Sequence, residues 1–275
     1  MAVASVVCAT AVGCQRRQRA HPLRQFLMPH PDASQSRAEG QWASLLRDAS
    51  FDADARFPVA WPFDARGRNA VLCDAVRGGR VLHLGFADHA PLIADKLQQG
   101  VWLHDQVQQV AAACVGVDIN ADAVALATQL GVTDLHCLDI FDSAFQRLVD
   151  EFQPTHVLLP DVMEHLHNPI AFLQRVAHTA PGATLVVSVP NGLSLRNLWN
   201  AWHGVECINT DHLCWYSPFT VLKVLARAGY VGCNAICAQI APASSLKGRV
   251  FARCVAWRSV WADNLVVSAR LTHRV

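Results

Sequence analysis

The feature that most constrains the fold of this chain is an alternation of short apolar runs and helical patterns that begins at Arg80. Four runs read as buried strands and end in a turn residue, an acid or an amide. These runs cover residues 81–85, 114–118, 155–161 and 183–191. Helical periods lie between them, as over residues 121–130 and 170–179. Because parallel strands need crossover connections, the pattern predicts an α/β fold with a doubly wound, mostly parallel sheet in three α/β/α layers.

The N-terminal part of the chain lacks this alternation. Residues 14–69 show no sustained period, and we predict a flexible leader and entry segment over residues 1–69. Within it, Trp42, Leu45 and Leu46 have the spacing of a short helix face. Residues 57–63, FPVAWPF, predict an extended apolar strap that either packs on the main domain or forms a lid.

Two further β-like runs follow the last helical pattern. They cover residues 233–240 and 250–257 and have no helical period between them, which predicts an antiparallel hairpin. We therefore predict a main domain over residues 70–258 and a C-terminal tail over residues 259–275.

Composition excludes several classes of function. A net charge of +1, with 16% charged residues, gives no field that would attract nucleic acid. The ten cysteines form no CxxC pair, so we expect reduced thiols and no metal site. The first fourteen residues are apolar, but their positive charges follow the run, unlike a secretory signal, and the run is too short to cross a bilayer. We expect a cytoplasmic protein with neither a membrane nor a nucleic acid as partner.

Ligands of such sheets bind at the carboxyl ends of the strands, where this sequence places suitable side chains. Gly85 ends the first strand and lets the backbone approach a ligand. Asp118 ends the second strand and can accept hydrogen bonds from two ribose hydroxyls. Asp139 and Ile140 follow the third, where an acid and an aliphatic side chain suit an adenine ring. An acid after a strand can equally be a helix cap.

The segment DVMEHLHNP, which ends the fourth strand, is the richest polar cluster. Asp161, Glu164 and His165 crowd one turn there. A general base must titrate near neutral pH, which favours His165, although burial would bring Glu164 into range. The alternative is structural, with Glu164 and His165 bracing the loop through the backbone.

A long connection follows the fifth strand, from residue 192 to residue 216. Its polar and aromatic side chains suit an acceptor pocket. For Trp199 and Trp202 we expect packing onto the sheet. The predicted acceptor-binding residues are Arg196, Asp211, His212 and Tyr216.

Six stretches, taken in order, resemble the motifs of class I S-adenosylmethionine-dependent methyltransferases of the small-molecule and glycan-associated type. They are HLGFADH, GVDINADAVALA, LDIFD, DVMEHLHNP, PGATLVVSVPN and DHLCWYSPFTVLKVLARAGY, within residues 79–258. The resemblance implies a Rossmann-like fold with seven strands and an antiparallel C-terminal hairpin. It also implies S-adenosylmethionine as cofactor and methyl transfer to a small-molecule or saccharide acceptor.

The resemblance implies that Gly85, Asp118, Ile119 and Asp139 contact the cofactor and that Asp161 lies near the reacting end. Together with the neighbouring side chains, this gives the predicted site residues. The catalytic positions are His165, Glu164 and Asp161. The cofactor positions are His83, Gly85, Phe86, Asp88, Asp118, Ile119, Asn120, Asp139, Ile140 and Asp161. The acid-x-x-Glu-His pattern is similar to that of quinone-biosynthesis O-methyltransferases, which place a divalent metal there; our expectation remains no metal.

The first loop departs from the family pattern. His83 replaces an acid, while Ala87 and His89 replace glycines, and 33 residues separate Gly85 from Asp118. A nicotinamide fingerprint fails at the same positions, since only Gly85 matches. Asp88 is a candidate to replace the missing acid. The alternative function is therefore a degenerate, methyltransferase-like binding or scaffold protein without catalysis.

Overall fold

A computed structural model of the protein describes residues 44–88, 90–242 and 245–271. Its strands are β1 (Phe63–Asp64), β2 (Arg80–Leu84), β3 (Ala113–Asp118), β4 (Leu135–Cys137), β5 (His156–Pro160), β6 (Thr184–Pro190), β7 (Tyr230–Ala238) and β8 (Asn264–Leu271). Its helices are α1 (Arg68–Val76), α2 (Ala90–Gln98), α3 (Leu103–Val110), α4 (Ala121–Gln129), α5 (Ser143–Phe152), α6 (Pro169–Thr179), α7 (Leu195–Trp202), α8 (Pro218–Arg227) and α9 (Leu246–Trp257).

The described strands form one sheet in the order β1-β7-β8-β6-β5-β2-β3-β4. Every pairing is parallel except those of β8, which is antiparallel to both β6 and β7. The predicted Rossmann-like fold, with its mostly parallel sheet and antiparallel C-terminal hairpin, is confirmed. The predicted strand count is one too low, because the two-residue β1 adds to the edge beside β7.

The last hairpin is built differently from the prediction. Residues 250–257 belong to α9, so the predicted strand there is wrong. Ser245 caps this helix by accepting a hydrogen bond from Gly248 N, and the apolar residues Phe251 and Val255 lie four positions apart on its inner face. The returning strand is β8, which lies within the predicted tail.

Apolar side chains on both faces of the sheet form the core. Alternate strand residues point to opposite faces, so Leu82 and Leu84 join one buried cluster, whereas Val81 joins another beneath α1 and α3. The predicted strap packs onto the first cluster through Trp61 and Phe63. Complete burial of a side chain such as Leu82 or Leu84 contributes about 1.5–3 kcal/mol to folding.

The remaining sequence expectations concern the ends and the cysteines. Leu45 and Leu46 lie in a short helical turn, whereas Trp42 and the leader before it lie outside the described residues. The described cysteines are free thiols. None of the helices in the described part has the length and apolar content that crossing a membrane requires.

Candidate functional site

A cavity of about 990 Å³ opens at the carboxyl ends of the central strands. Strands β2, β3, β5 and β6 all end at this cavity. The residues at or directly after their ends that line it are Gly85, Asp118, Asp161 and Asn191. This is where an open α/β sheet binds its ligands, because the loops diverge there.

Most of the predicted site residues line this cavity. They are His83, Gly85, Phe86, Asp88, Asp118, Ile119, Asn120, Ile140, Asp161, Glu164, His165, Arg196, Asp211 and His212. Two do not. Asp139 is exposed, and its Oδ1 accepts a hydrogen bond from Phe141 N; Tyr216 is buried and donates its hydroxyl to Met163 O.

Gly85 shapes the cavity by having no side chain. Its φ is +65°, in the left-handed region, and its N–H donates to Val117 O at 2.9 Å. A Cβ at this position would lie 2.4 Å from Val162 Cγ2. Both the backbone conformation and the neighbouring loop therefore require glycine.

Asp118 ties the loop after β2 to the loop after β3. Its Oδ2 accepts from Ala87 N at 3.1 Å and its Oδ1 from Asn120 N at 2.9 Å. Burial raises the pKa of this carboxyl, although the two amides act in the opposite direction. The cap of α4 is Asn120, which accepts from Ala123 N, and not the acid Asp118. A carboxylate accepts about four hydrogen bonds, which leaves Asp118 capacity for a ligand.

His83 is buried and meets a second buried ring, His104 of α3. The two Nδ1 atoms lie 3.1 Å apart, and neither Nε2 has a hydrogen-bond partner among the described residues. Burial lowers the pKa of His83 well below its usual value and that of His104 to about 4. Both rings are therefore neutral at pH 7, so no positive charge arises from His83. His89, the other histidine of this loop, lies outside the described residues.

Asp161 is held in a left-handed conformation, with φ +49°, by contacts on both carboxylate oxygens. Oδ1 accepts from Ser188 Oγ at 2.6 Å and from Asn264 Nδ2 at 3.4 Å, and Oδ2 is paired with Arg68. These contacts fix a charged group where the cavity passes β5.

Arg68, Lys96 and Asn264 line the cavity but are not among the predicted residues. Lys96 forms an ion pair with Asp88. Asp88, the candidate to replace the family's acid at position 83, is therefore already paired with a positive charge. The Arg68 contact joins residues 93 positions apart, and Arg68 falls in the predicted leader. No local pattern marks it.

Glu164, His165 and His212 meet on the opposite wall. Glu164 is fully buried, neither carboxylate oxygen has a hydrogen-bond partner among the described residues, and burial raises its pKa to about 7. His212 Nε2 lies 3.9 Å from Glu164 Oε1, and the His212 ring stands edge-on to His165 at 4.7 Å. Burial and the neighbouring His165 lower the pKa of His212.

The tautomer of His165 follows from its contact with the backbone. Nδ1 lies 3.0 Å from the carbonyl oxygen of Asp211, which can only accept, so Nδ1 carries the hydrogen. The lone pair is therefore on Nε2. This is the form that a general base requires.

The donor set for a divalent cation differs from the one that the sequence suggests. Asp161 is already engaged by Arg68 and Ser188. Glu164, His165 and His212 instead place one ligand atom each within 4.8 Å of one another. One carboxylate and two imidazoles are ligands that Zn²⁺ and other divalent transition metals accept, so these three residues fit such an ion.

The connection between β6 and α8 forms the outer wall. Its cavity-lining residues include Ser194, Arg196, Asn197, Asn209, Asp211 and Trp215. The expectation that Trp199 and Trp202 pack on the sheet is wrong, because their exposed fractions are 66% and 86%. Helix α7 buries none of its residues; Arg196 and Asn197 reach the cavity while both tryptophans face solvent.

Comparison with known proteins gives the family. Residues 38–233 match the family described as methyltransferase domain, whereas no curated protein matches the sequence. An S-adenosylmethionine-dependent methyltransferase from Mesorhizobium loti is 17% identical, with 75% of this chain and 100% of that chain covered and a TM-score of 0.43. DhpI in complex with SAH is 16% identical, with coverages of 74% and 85% and a TM-score of 0.42.

A third similar structure is the small RNA methyltransferase HEN1, 16% identical with a TM-score of 0.49. The match covers 80% of this chain and 27% of HEN1. The family match spans well over half of this sequence. This chain therefore belongs to the methyltransferase-domain family, as a class I methyltransferase that uses S-adenosylmethionine.

Proposed function

We propose that this protein methylates a small-molecule or saccharide acceptor, with His165 as the general base. The observation that carries the proposal is the hydrogen bond from His165 Nδ1 to Asp211 O, which leaves the Nε2 lone pair available at the cavity. An acceptor hydroxyl or amine loses a proton as it is methylated, and Nε2 is the atom suited to take it.

The cavity residues at the end of β3 would hold the adenosine part of the cofactor. Asp118 has spare acceptor capacity for the ribose hydroxyls, while Ile119 and Ile140 offer apolar cover for the adenine. At the other end, Arg68, Asp88 and Lys96 supply both signs of charge, which suits an amino-acid group that carries an ammonium and a carboxylate. Without a bound metal ion, the neutral pair of His83 and His104 adds no repulsion there.

When bound, S-adenosylmethionine supplies a methyl group on a positively charged sulfur. The chain's own task is to orient the acceptor and remove its proton. After transfer His165 carries a proton on each ring nitrogen, and the Nδ1 hydrogen bond to Asp211 O stabilises that cation. The carboxyl of Glu164, close to ionisation at neutral pH, lies in the same cluster and stabilises the imidazolium when ionised.

The outer wall of the cavity supports this acceptor class. Arg196, Asn197 and Asn209 offer donors and acceptors for hydroxyl groups, and Trp215 offers an aromatic edge, its Nε1 donating to Glu206 at 2.7 Å. Polar groups that converge beside an aromatic side chain are typical of sites that bind sugars and other hydroxylated molecules.

A divalent cation on Glu164, His165 and His212 would use the same Nε2 lone pair as the general base. The two roles of His165 therefore exclude each other. If methylation persists unchanged after dialysis against EDTA, His165 acts as the base; if it is lost and Zn²⁺ or Mg²⁺ restores it, these residues are metal ligands.

The deciding experiment separates cofactor binding from chemistry. S-adenosylhomocysteine is titrated into the protein by calorimetry, and methyl transfer to a panel of hydroxylated acceptors is followed with radiolabelled S-adenosylmethionine. For His165→Asn we expect unchanged S-adenosylhomocysteine affinity and a kcat lower by about 10²–10⁴-fold. His178→Asn, which changes an exposed histidine outside the cavity, is the matched control.

A second candidate is the degenerate binding protein. Asp118 already accepts two backbone N–H groups, and the loop after β2 retains only Gly85 of the family's glycines. If the natural chain binds no S-adenosylhomocysteine but the double variant His83→Asp with His89→Gly does, this candidate replaces the enzyme.

A further inference from the structure

Three potential metal ligands meet below the cavity floor, apart from the Glu164 cluster. They are His83 on β2, His104 on α3 and Cys114 on β3, with exposed fractions of 1%, 0% and 8%. One ligand atom from each lies within 4.8 Å of the other two. Two imidazoles and a thiol, which can all bind a metal ion, therefore lie together among buried apolar side chains.

The sheet register explains how the three residues meet. Val81 pairs with Cys114 and His83 with Gly116, so Cys114 and Gly116 face the same side of β3, the side covered by α3. A Cβ on Gly116 would lie 2.9 Å from His104 Cε1. The missing side chain at Gly116 therefore admits the His104 ring from α3 to the vicinity of His83 and Cys114.

The two rings leave hydrogen-bonding capacity unused. In a pair of neutral imidazoles, one Nδ1–H donates to the other Nδ1 across 3.1 Å. One lone pair is used in this contact and the other lies on an Nε2 that has no partner in the described part of the chain. A cation bound by both Nδ1 atoms would take one lone pair from each ring at once, and each Nε2 would then carry the ring hydrogen.

We propose that His83, His104 and Cys114 bind Zn²⁺ or a similar thiophilic cation. Two imidazole nitrogens on a tetrahedral Zn²⁺, with bonds of about 2.0–2.1 Å, are about 3.3 Å apart, close to the 3.1 Å separation of the Nδ1 atoms. Imidazole with thiolate favours Zn²⁺ over Mg²⁺ or Ca²⁺.

The ion reaches the site through the cavity. Of the three residues, His83 lines the cavity, and a water molecule would complete the four ligands of Zn²⁺. As the Zn–S bond forms, the S–H bond of Cys114 breaks and its proton leaves to solvent. As the two Zn–N bonds form, the ring whose Nδ1 carried the hydrogen loses it there and takes up a proton on Nε2. No electrons are transferred.

The test uses Co²⁺ as a spectroscopic substitute for Zn²⁺, added to the metal-free full chain without cofactor. A bound thiolate gives cobalt an intense near-ultraviolet charge-transfer band, whereas Glu164, His165 and His212 contain no sulfur and give none. We expect the band in the natural chain, displaced by Zn²⁺, and its loss in Cys114→Ser. For His104→Phe we expect Zn²⁺ affinity at least ~10-fold weaker.

Two matched controls identify the sulfur. Cys73 is buried in the same apolar cluster as Cys114, and Cys207 lines the cavity. Cys73→Ser and Cys207→Ser should both keep the band. Loss of the band in either control but not in Cys114→Ser would overturn the assignment.

A measurement on the unaltered chain removes the risk that a core variant does not fold. X-ray absorption with one equivalent of Zn²⁺ should show one sulfur neighbour at about 2.3 Å together with nitrogen neighbours. A shell of only nitrogen and oxygen, or no Zn²⁺ retained after dialysis, overturns the proposal. Because no cofactor is present, either outcome is independent of the proposed methyl transfer.

Discussion

Strands β2 and β5 are neighbours in the sheet, and the residue after each of them has a left-handed backbone conformation. One of these residues is a glycine and the other is an aspartate. Gly85 follows β2 with φ +65°, and Asp161 follows β5 with φ +49°. At the first position the absence of a side chain matters, since Val162 of the neighbouring loop fills the space. At the second, the side chain is held by Ser188 and Arg68.

This difference shows how one turn geometry serves two purposes. A left-handed residue turns the chain sharply away from the strand and so opens the cavity. With glycine, the turn costs little strain and lets two loops touch. With aspartate, the turn is strained, but hydrogen bonds and an ion pair offset the strain and place a charge at the cavity wall.

The largest effect is expected for Gly85→Ala. A left-handed alanine costs roughly 1–2 kcal/mol, and the clash with Val162 Cγ2 adds about 1–3 kcal/mol, so we expect the free energy of unfolding to fall by about 2–5 kcal/mol. Urea denaturation measures this change, and calorimetry with S-adenosylhomocysteine should show weaker binding.

Gly100→Ala is the control, because Gly100 has the same φ of +65° but a Cβ added there would meet no atom within 4 Å. It should lose only the backbone share, about 1–2 kcal/mol. Adding Val162→Ala to Gly85→Ala should recover the difference between the two variants. Equal losses at Gly85 and Gly100 would show that contact with Val162 is unimportant.

The next largest effect is the pH dependence of stability that Glu164, in the loop after β5, produces. Burial raises its pKa from 4.5 to about 7, so between these values the unfolded chain has lost the proton that the folded protein keeps. Stability therefore falls as pH rises from 4.5 to 7 and is level above it; at 1.36 kcal/mol per pKa unit the loss is about 3 kcal/mol. Urea denaturation in EDTA, repeated across this range, should show that Glu164→Gln lacks the fall.

His104, which contacts His83 of β2, should make stability depend on pH in the opposite direction. Burial lowers the pKa of His104 from 6.5 to about 4, so its contribution is fully present above pH 6.5 and is lost as pH falls to 4. His104→Gln should remove that loss. If the free energy of unfolding of the natural chain and of Glu164→Gln changes with pH in the same way, the carboxyl of Glu164 is not buried in its protonated form.

Local patterns in the sequence predict much of this site, and long-range contacts account for what they miss. Gly85, Asp118 and Asp161 each follow an apolar run, so their places at strand ends are readable. Arg68 comes from a segment without periodicity and meets Asp161 only through the fold. Residues 250–257 are apolar except for one arginine, Arg253, a pattern that fits a strand or a helix; the Ser245 cap and the burial of Val255 favour the helix.

A smaller effect is expected for Asp161→Asn. The amide keeps an acceptor for Ser188 but leaves the Arg68 guanidinium, whose side chain is 20% exposed, without its anion. Since hydrogen bonds to charged groups contribute about 1.5–3 kcal/mol, we expect a loss near ~2 kcal/mol. Asp122→Asn, an exposed acid in the first turn of α4, is the control.

If the Arg68 ion pair offsets the backbone strain at Asp161, salt should have little effect, because the pair is partly shielded from solvent. High salt should then reduce the difference in free energy of unfolding between the natural chain and Asp161→Asn only slightly. A difference that disappears in about 1 M salt would indicate that the charge contributes little and that the comparison with Gly85 rests on the hydrogen bonds alone.

The smallest effect is expected for Ser188→Ala. Ser188 is fully buried, and its hydroxyl lies 2.6 Å from Asp161 Oδ1; without it, that oxygen keeps only the longer contact with Asn264 among the described residues. We expect a loss of about 1 kcal/mol, measured by urea denaturation. The double variant with Asp161→Asn distinguishes shared from separate contributions, because residues in one hydrogen-bond network do not add. A double variant no worse than Asp161→Asn alone would show that Ser188 acts through the charge on Asp161, whereas full additivity would assign Ser188 to the packing of β6 and leave Arg68 as the group that holds the turn.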